Sequence, residues 1–263
     1  FNTWINRMKI TILTLFPEFF NSFFDTSIIK RAISKEIVSF EVVNIRDFTL
    51  DKYHRVDNPP VGGGAGLIMM CQPVIDALNS VKTPHSKTFL TSPKGNTFNQ
   101  QKALEMSKEE HLIFICGHYE GLDARIEKYV DEQISIGDFI LTGGEASLIP
   151  IIDSITRLIP QVISEDSLSE ETFQNNLLEY PQYTYPYKYN NDCIPDILFS
   201  GNHQAIDKWR KKQSLLLTKK LRPDLFNKLE LSKQEIKLLN EEKFPKWEKD
   251  AIEKGKKFMK KDI

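Results

Sequence analysis

Residues 111–116 read His-Leu-Ile-Phe-Ile-Cys, and every side chain after His111 is apolar. Six residues are short for a helix, and the lack of polar/apolar alternation argues against a strand with one wet face. A run of this kind belongs in a parallel sheet covered by helices on both sides. The neighbouring segments agree. Ile10–Leu15, Phe40–Ile45, Lys87–Thr91 and Gln133–Ile136 read as further strands. Helical periodicity separates them: one helix opened by Pro17 and running through Phe20, Phe23, Phe24 and Ile28 to Ile29, then Gln72–Asn79, Asn99–Ser107, Asp123–Val130 and Glu145–Leu158. Asp47–Gly66 reads as a polar loop with Pro59-Pro60 and glycines, and Pro93-Lys94-Gly95-Asn96 as a turn. Repeated strand–helix units predict an α/β fold.

That pattern stops at Pro160. Ser164-Glu165-Asp166-Ser167-Leu168-Ser169-Glu170-Glu171 is polar and acidic, as a linker would be, and the remainder reads mostly as helix: Asn202–Leu217, Pro223–Leu229, and a segment from Ser232 onward. Ser232 followed three residues later by Glu235 has the spacing of a capping box. Four parts are therefore expected within the 263 residues: an extension at 1–7 upstream of the first methionine, Met8; a first domain at 8–162; a linker at 163–175; and a small, mostly helical domain at 176–263.

Charge divides along the same line. From Asn176 to the end, 19 Lys and Arg oppose 13 Asp and Glu; the preceding part carries 16 against 23, so a net charge of −1 hides a basic tail on an acidic body. Charge alone favours a solvated helix surface. The clusters Lys208-Trp209-Arg210-Lys211-Lys212 and Lys219-Lys220-Leu221-Arg222 favour phosphate contacts, since cations with an interleaved aromatic suit a nucleic-acid backbone. No apolar run approaches the roughly 18 residues of a membrane span. The leader lacks a secretory apolar stretch, and the three scattered cysteines suit a reducing cytoplasm.

Ligands of open α/β sheets bind beyond the carboxyl ends of the strands. Three successive loops there are unusual: Thr91-Ser92-Pro93-Lys94-Gly95, Gly117-His118-Tyr119-Glu120-Gly121 and Gly137–Glu145. Any one alone reads as turn chemistry; three together could frame one pocket. Gly62-Gly63-Gly64-Ala65-Gly66 lacks the Gly-Lys-Ser/Thr of a phosphate loop and the spacing of a dinucleotide fingerprint, so a lid over a substrate is the better functional reading. Ser147 sits mid-helix without a nucleophile elbow, and the five histidines show no metal-ligand spacing. Arg157 ends the last helix of the first part, with Glu170-Glu171 beyond it. A carboxylate and a cation could serve proton abstraction, the cation offsetting charge that develops on the substrate; surface charge in a linker is the competing reading.

The strings Leu15-Phe16-Pro17-Glu18, Gly62–Gly66, Cys116-Gly117-His118-Tyr119-Glu120-Gly121-Leu122-Asp123, Ser135–Glu145 and Leu198-Phe199-Ser200-Gly201-Asn202-His203, in that order, resemble the bacterial tRNA (guanine-N1)-methyltransferases acting on position 37, next to the anticodon. The resemblance runs from Met8 to about Leu229. It implies a SPOUT-type parallel sheet with a deep trefoil knot, an exception to the rule that folds are unknotted, followed by a small helical domain that grips tRNA. It also implies a cytoplasmic homodimer and S-adenosylmethionine as methyl donor. Cofactor contacts implied by position are Pro93, Gly117, Tyr119, Glu120, Ser135, Ile136, Gly137, Asp138, Phe139, Ile140, Leu141, Gly143 and Gly144. Gly62, Gly63, Gly64 and His203 are implied on the substrate side, Arg157 as the cation at guanine O6, and no protein metal site; Mg2+ dependence is left open. The family's base is an aspartate in an Asp-Ser-Phe string. Here the string is Glu171-Thr172-Phe173, which keeps the carboxylate and adds a methylene. Three other positions depart from the family pattern, with His118 where many relatives carry arginine and Gln182 and Tyr185 in a Pro-Gln-Tyr-Thr-Tyr-Pro segment. The implied reaction is methyl transfer to guanine N1 at tRNA position 37. The alternatives are a SPOUT methyltransferase for another RNA site and a catalytically weak tRNA-binding protein.

Overall fold

His111–Cys116 is the central strand of five. In the computed structural model, which describes residues 7–164, 173 and 176–256, the chain divides into two compact units, Phe1–Leu168 and Ser169–Ile263. The sheet of the first unit is built from β1 (Met8–Thr14), β2 (Val38–Asn44), β5 (Ser86–Thr97), β6 (His111–Cys116) and β7 (Glu132–Ser135), in the order β2-β1-β6-β5-β7 and parallel throughout. Two short antiparallel segments, β3 (Asp57–Asn58) and β4 (Ile68–Met69), frame the glycine loop.

Every residue of β6 is buried, and its side chains alternate between two cores. Leu112, Phe114 and Cys116 join Ile10 and Ile12 of β1 against α2 (Ser27–Ser34), α4 (Gln100–Met106) and α5 (Gly144–Thr156), which contribute Ala32, Ala103, Met106, Leu148, Ile151 and Ile155. Ile113 and Ile115 join Leu13 and Leu90 against α3 (Cys71–Val81), with Val74, Ala77 and Leu78, and against Ile126 of a 3-10 turn. Apolar surface on both faces is what requires a helix layer on each side.

Local chemistry corrects several expected boundaries. The single helix expected from Pro17 to Ile29 is three pieces: a 3-10 turn at Pro17–Phe20, α1 (Asn21–Phe24), and α2. Between α1 and α2, Thr26 takes an extended backbone and its hydroxyl donates to Ser22 O at 2.5 Å, competing with the helical ladder. The helix expected at Asp123–Val130 is a 3-10 helix at Ala124–Tyr129, because the Asp123 side chain accepts from Arg125 N and its carbonyl from Ile126 N. The turn expected at Pro93–Asn96 lies inside β5, whose pairing with β7 shifts register between Thr91 and Asn96.

The second unit holds a two-stranded hairpin, β8 (Lys188–Tyr189) and β9 (Asp192–Cys193), and the helices α6 (His203–Leu221), α7 (Pro223–Phe226), α8 (Lys233–Asn240) and α9 (Lys246–Gly255). Ile197, Ala205, Trp209 and Ala251 form its core. The capping box is present: Ser232 accepts from Glu235 N, and the Glu235 carboxylate accepts from Ser232 N. Among the described residues no helix is long and apolar enough to cross a membrane.

Candidate functional site

The loops beyond β5, β6 and β7 enclose a cavity of about 460 Å3, lined by Leu90–Lys94, Gly117–Asp123, Gln133–Gly137 and Phe139–Gly144, with Glu127 and Ser147. Backbone contacts hold these loops together. Gly144 N donates to Gly117 O at 2.8 Å, and His118 bridges to Gly143. A Cβ on Gly144 would overlap Thr91 Oγ1 and come within 2.9 Å of Cys116 Cα and Gly117 N. Only glycine lets the first residue of α5 lie this close to two strand ends. Ser135 Oγ accepts from Gly137 N and donates to Gly137 O, which shapes the bend that leaves β7.

Three carboxylates line the cavity, and their surroundings differ. Asp123 is bound by Arg125 Nη2 at 2.7 Å, and that guanidinium holds its carboxyl down to about 2. Glu127 faces Lys94 at 3.7 Å. Glu120 has no ion pair among the described residues. Two buried polar atoms of the wall, His118 Nδ1 and Gln133 Oε1, have no hydrogen-bond partner there. The His118 ring lies 4.9 Å from the rings of Phe16 and Tyr119. Behind this wall Glu145 is buried in the first turn of α5, where a negative charge suits the helix dipole. It accepts a 2.6 Å hydrogen bond from Thr14 Oγ1, which accepts in turn from Phe16 N. Burial pushes the nearby Cys116 thiol well above its ordinary range, and Glu145 adds to the effect. Chemically, the enclosure offers apolar walls, backbone polar groups and one uncompensated carboxylate, a combination suited to a cationic small molecule with polar ends.

The family model for the tRNA (guanine-1)-methyltransferases, TrmD, matches residues 8–228. The chain belongs to this family. Among its relatives is a tRNA (guanine-N(1)-)-methyltransferase of Clostridium perfringens, strain ATCC 13124, 55% identical over 234 residues, which are 88% of this chain and 99% of the relative. Another carries the same description in Clostridium beijerinckii, 55% identical over 88% of this chain and 98% of the relative. A third, from Clostridium botulinum strain Langeland, is 53% identical over 89% and 98%.

Against that family background, the expected site residues fall into separate groups. Pro93, Gly117, Tyr119, Glu120, Ser135, Ile136, Gly137, Phe139, Ile140, Leu141, Gly143 and Gly144 all line the cavity; Asp138 is exposed and does not. Gly62, Gly63 and Gly64 are exposed, with left-handed backbone, and lie outside the lining. Arg157 is the C-cap of α5, half-buried, with its backbone N–H on Asp153 O. His203 is the exposed first residue of α6. Glu171, with Glu170 and Thr172, lies outside the described residues. Glu127 and Gln133 also line the cavity, as do Ser147, which the sequence offers only as a nucleophile without an elbow, and Leu122 and Asp123 at the end of the Cys116–Asp123 string. Gln133 is the second residue of β7 and Ser147 lies within α5, so neither carries a loop signal in the sequence.

In the second unit, the first basic cluster is engaged by the protein's own side chains, and two of its five residues are buried. Trp209 is a core residue and Lys212 is 3% exposed, donating to Glu242 O at 2.7 Å. Lys208 pairs with Glu241 at 3.5 Å and lies over the Trp247 ring; Lys211 pairs with Glu235 at 2.9 Å. Arg210 covers the Tyr180 ring. The expectation that this cluster presents an aromatic and cations to phosphate is corrected for Trp209 and Lys212, which are buried. In the second cluster Lys219 and Lys220 remain exposed in the last turn of α6.

Proposed function

We propose that this chain transfers a methyl group from S-adenosylmethionine to N1 of guanine at position 37 of tRNA, acting as a homodimer with a knotted first unit. One observation carries the reading beyond family membership: the cavity at the strand tips is lined by the loop residues that the resemblance assigns to the donor. Its volume suits a ligand of this size, since small-molecule sites span roughly 300–1,000 Å3. The residues present fit the donor. Glu120 suits a cationic group, the orphaned His118 Nδ1 and Gln133 Oε1 suit polar ends, and the exposed Phe139, Ile140 and Leu141 supply apolar cover.

Bound there, S-adenosylmethionine supplies a methyl carried on positively charged sulfur. The chain's own part is to make the guanine nucleophilic and to orient it. Neutral guanine N1 holds a proton and attacks poorly. Glu171 would take that proton and Arg157 would offset the negative charge that spreads to O6, leaving N1 able to accept the methyl group. Gly62–Gly64 and His203 serve the RNA side, and the exposed Lys219 and Lys220 offer phosphate contacts, so tRNA affinity falls as salt rises. The test is single-turnover methylation of a tRNA transcript. Glu171→Ala is expected to slow it by about two to four orders of magnitude while donor affinity holds. An unchanged rate removes Glu171 from the role of base and turns attention to Glu170 and Asp166.

A further inference from the structure

Gly62, Gly63, Gly64 and Gly66 all have left-handed backbone, but they meet different surroundings. A Cβ added at Gly62 or Gly63 would have nothing within 4 Å, and at Gly64 it would touch only the Pro60 ring. At Gly66, where φ is +75°, it would overlap Glu120 Cγ and lie 2.6 Å from Glu120 Oε1. The Glu120 side chain therefore lies across the bare backbone of Gly66.

The main chain joins the same two segments. Glu120 N donates to Leu67 O at 3.1 Å, Met69 N to Gly121 O at 2.9 Å, and Asp123 N to Met69 O at 3.0 Å. Met69 also bridges in parallel to Leu122. The glycine loop is thus the turn between β3 and β4, and β4 is stitched onto the cavity-lining segment Glu120–Asp123. Asp123 and Glu127 are already engaged by Arg125 and Lys94, which leaves Glu120 as the lining carboxylate open to a cationic ligand.

We infer that Gly66 is a positioning residue for donor binding: its missing side chain seats the Glu120 carboxylate at the cavity wall, and so links the glycine loop to the donor site. The inference rests on the cavity being the S-adenosylmethionine site. A side chain at 66 would not need to break the fold, because Glu120 is flexible enough to swing away. What it would remove is the carboxylate's position.

The experiment is a double-mutant cycle read by calorimetric titration of the full chain with S-adenosylmethionine, in the absence of tRNA. Gly66→Asn is the main variant, since asparagine tolerates left-handed backbone yet carries the intruding Cβ; Gly66→Ala is the second. Each is expected to weaken donor binding about tenfold, as does Glu120→Ala, the size of one lost hydrogen bond to a charged group. In the Glu120→Ala background, Gly66→Asn is expected to change affinity less than about twofold, because the two act as one unit. Equal loss in both backgrounds would mean that Gly66 only shapes its own loop, and would overturn the inference while leaving the donor site intact. A wild-type chain that ignores S-adenosylmethionine would overturn the donor site itself. Thermal unfolding of each variant separates either result from loss of the fold.

Discussion

His111 opens the central strand with an imidazole that is only 5% exposed, its Nε2 2.9 Å from Thr11 Oγ1. Burial holds its pKa below the ordinary histidine value; Lys9 pushes the same way and Glu41 opposes. The fold therefore disfavours the charged ring, while the unfolded chain takes up a proton near about pH 6.5. Below that value the unfolded state binds more protons, so the stability His111 contributes is present above about pH 6.5 and is lost as pH falls through the folded pKa. Urea midpoints measured between about pH 5 and 7 should rise with pH in the wild type and rise less steeply in His111→Gln. Equal slopes would place the dependence on other groups. In sequence the histidines show no metal-ligand spacing; in the fold His111 is a buried partner of Thr11. Gly144 was legible only as part of a glycine-rich loop: that it must lie against Thr91 and Cys116 depends on strands about 28 and 53 residues upstream.

An element is readable in the sequence to the extent that its signal is local. The β6 run matched its strand end to end, because burial on both faces leaves a mark in six consecutive residues. Helix caps were equally local. The Ser232–Glu235 box, expected from its spacing, opens α8, whereas Asn99, expected as the first residue of its helix, is the N-cap of α4. Glu235 also pairs with Lys211, so the cap ties α8 to α6, and its carboxyl is held down to about 2, chiefly by Lys211. Ser232→Ala should lower stability by about 1 kcal/mol and Ser232→Gly by only a few tenths, read from urea unfolding; no difference between alanine and wild type would show the box to be inert. Other elements depend on partners that are remote in sequence. Pro93 reads as a break because it lacks a ladder donor, yet it sits where β5 changes register against β7 and no donor is required. The Lys208–Lys212 cluster reads as a phosphate-binding face; Glu235, Glu241 and Glu242, which engage it, arrive from elements 23 or more residues downstream.

For the molecule as a whole, a parallel sheet delivers three loops to one place, and a separate helical unit carries the basic excess of the chain. The sheet class and the loop set were legible because each rests on contiguous residues. The identity of the reaction was not a matter of composition, since a net charge of −1 suggests no nucleic-acid partner; it came from the order of five motifs and is supported by relatives more than 50% identical over most of the chain. The strand-tip cavity is proposed to hold the methyl donor for guanine N1. Labelled methyl transfer from S-adenosylmethionine to unmodified tRNA, followed by mapping of the modified base, tests it most directly. Label is expected on N1 of guanine at position 37 and none on a transcript with adenine there; label on another base, or no incorporation by the folded chain, would refute this reading.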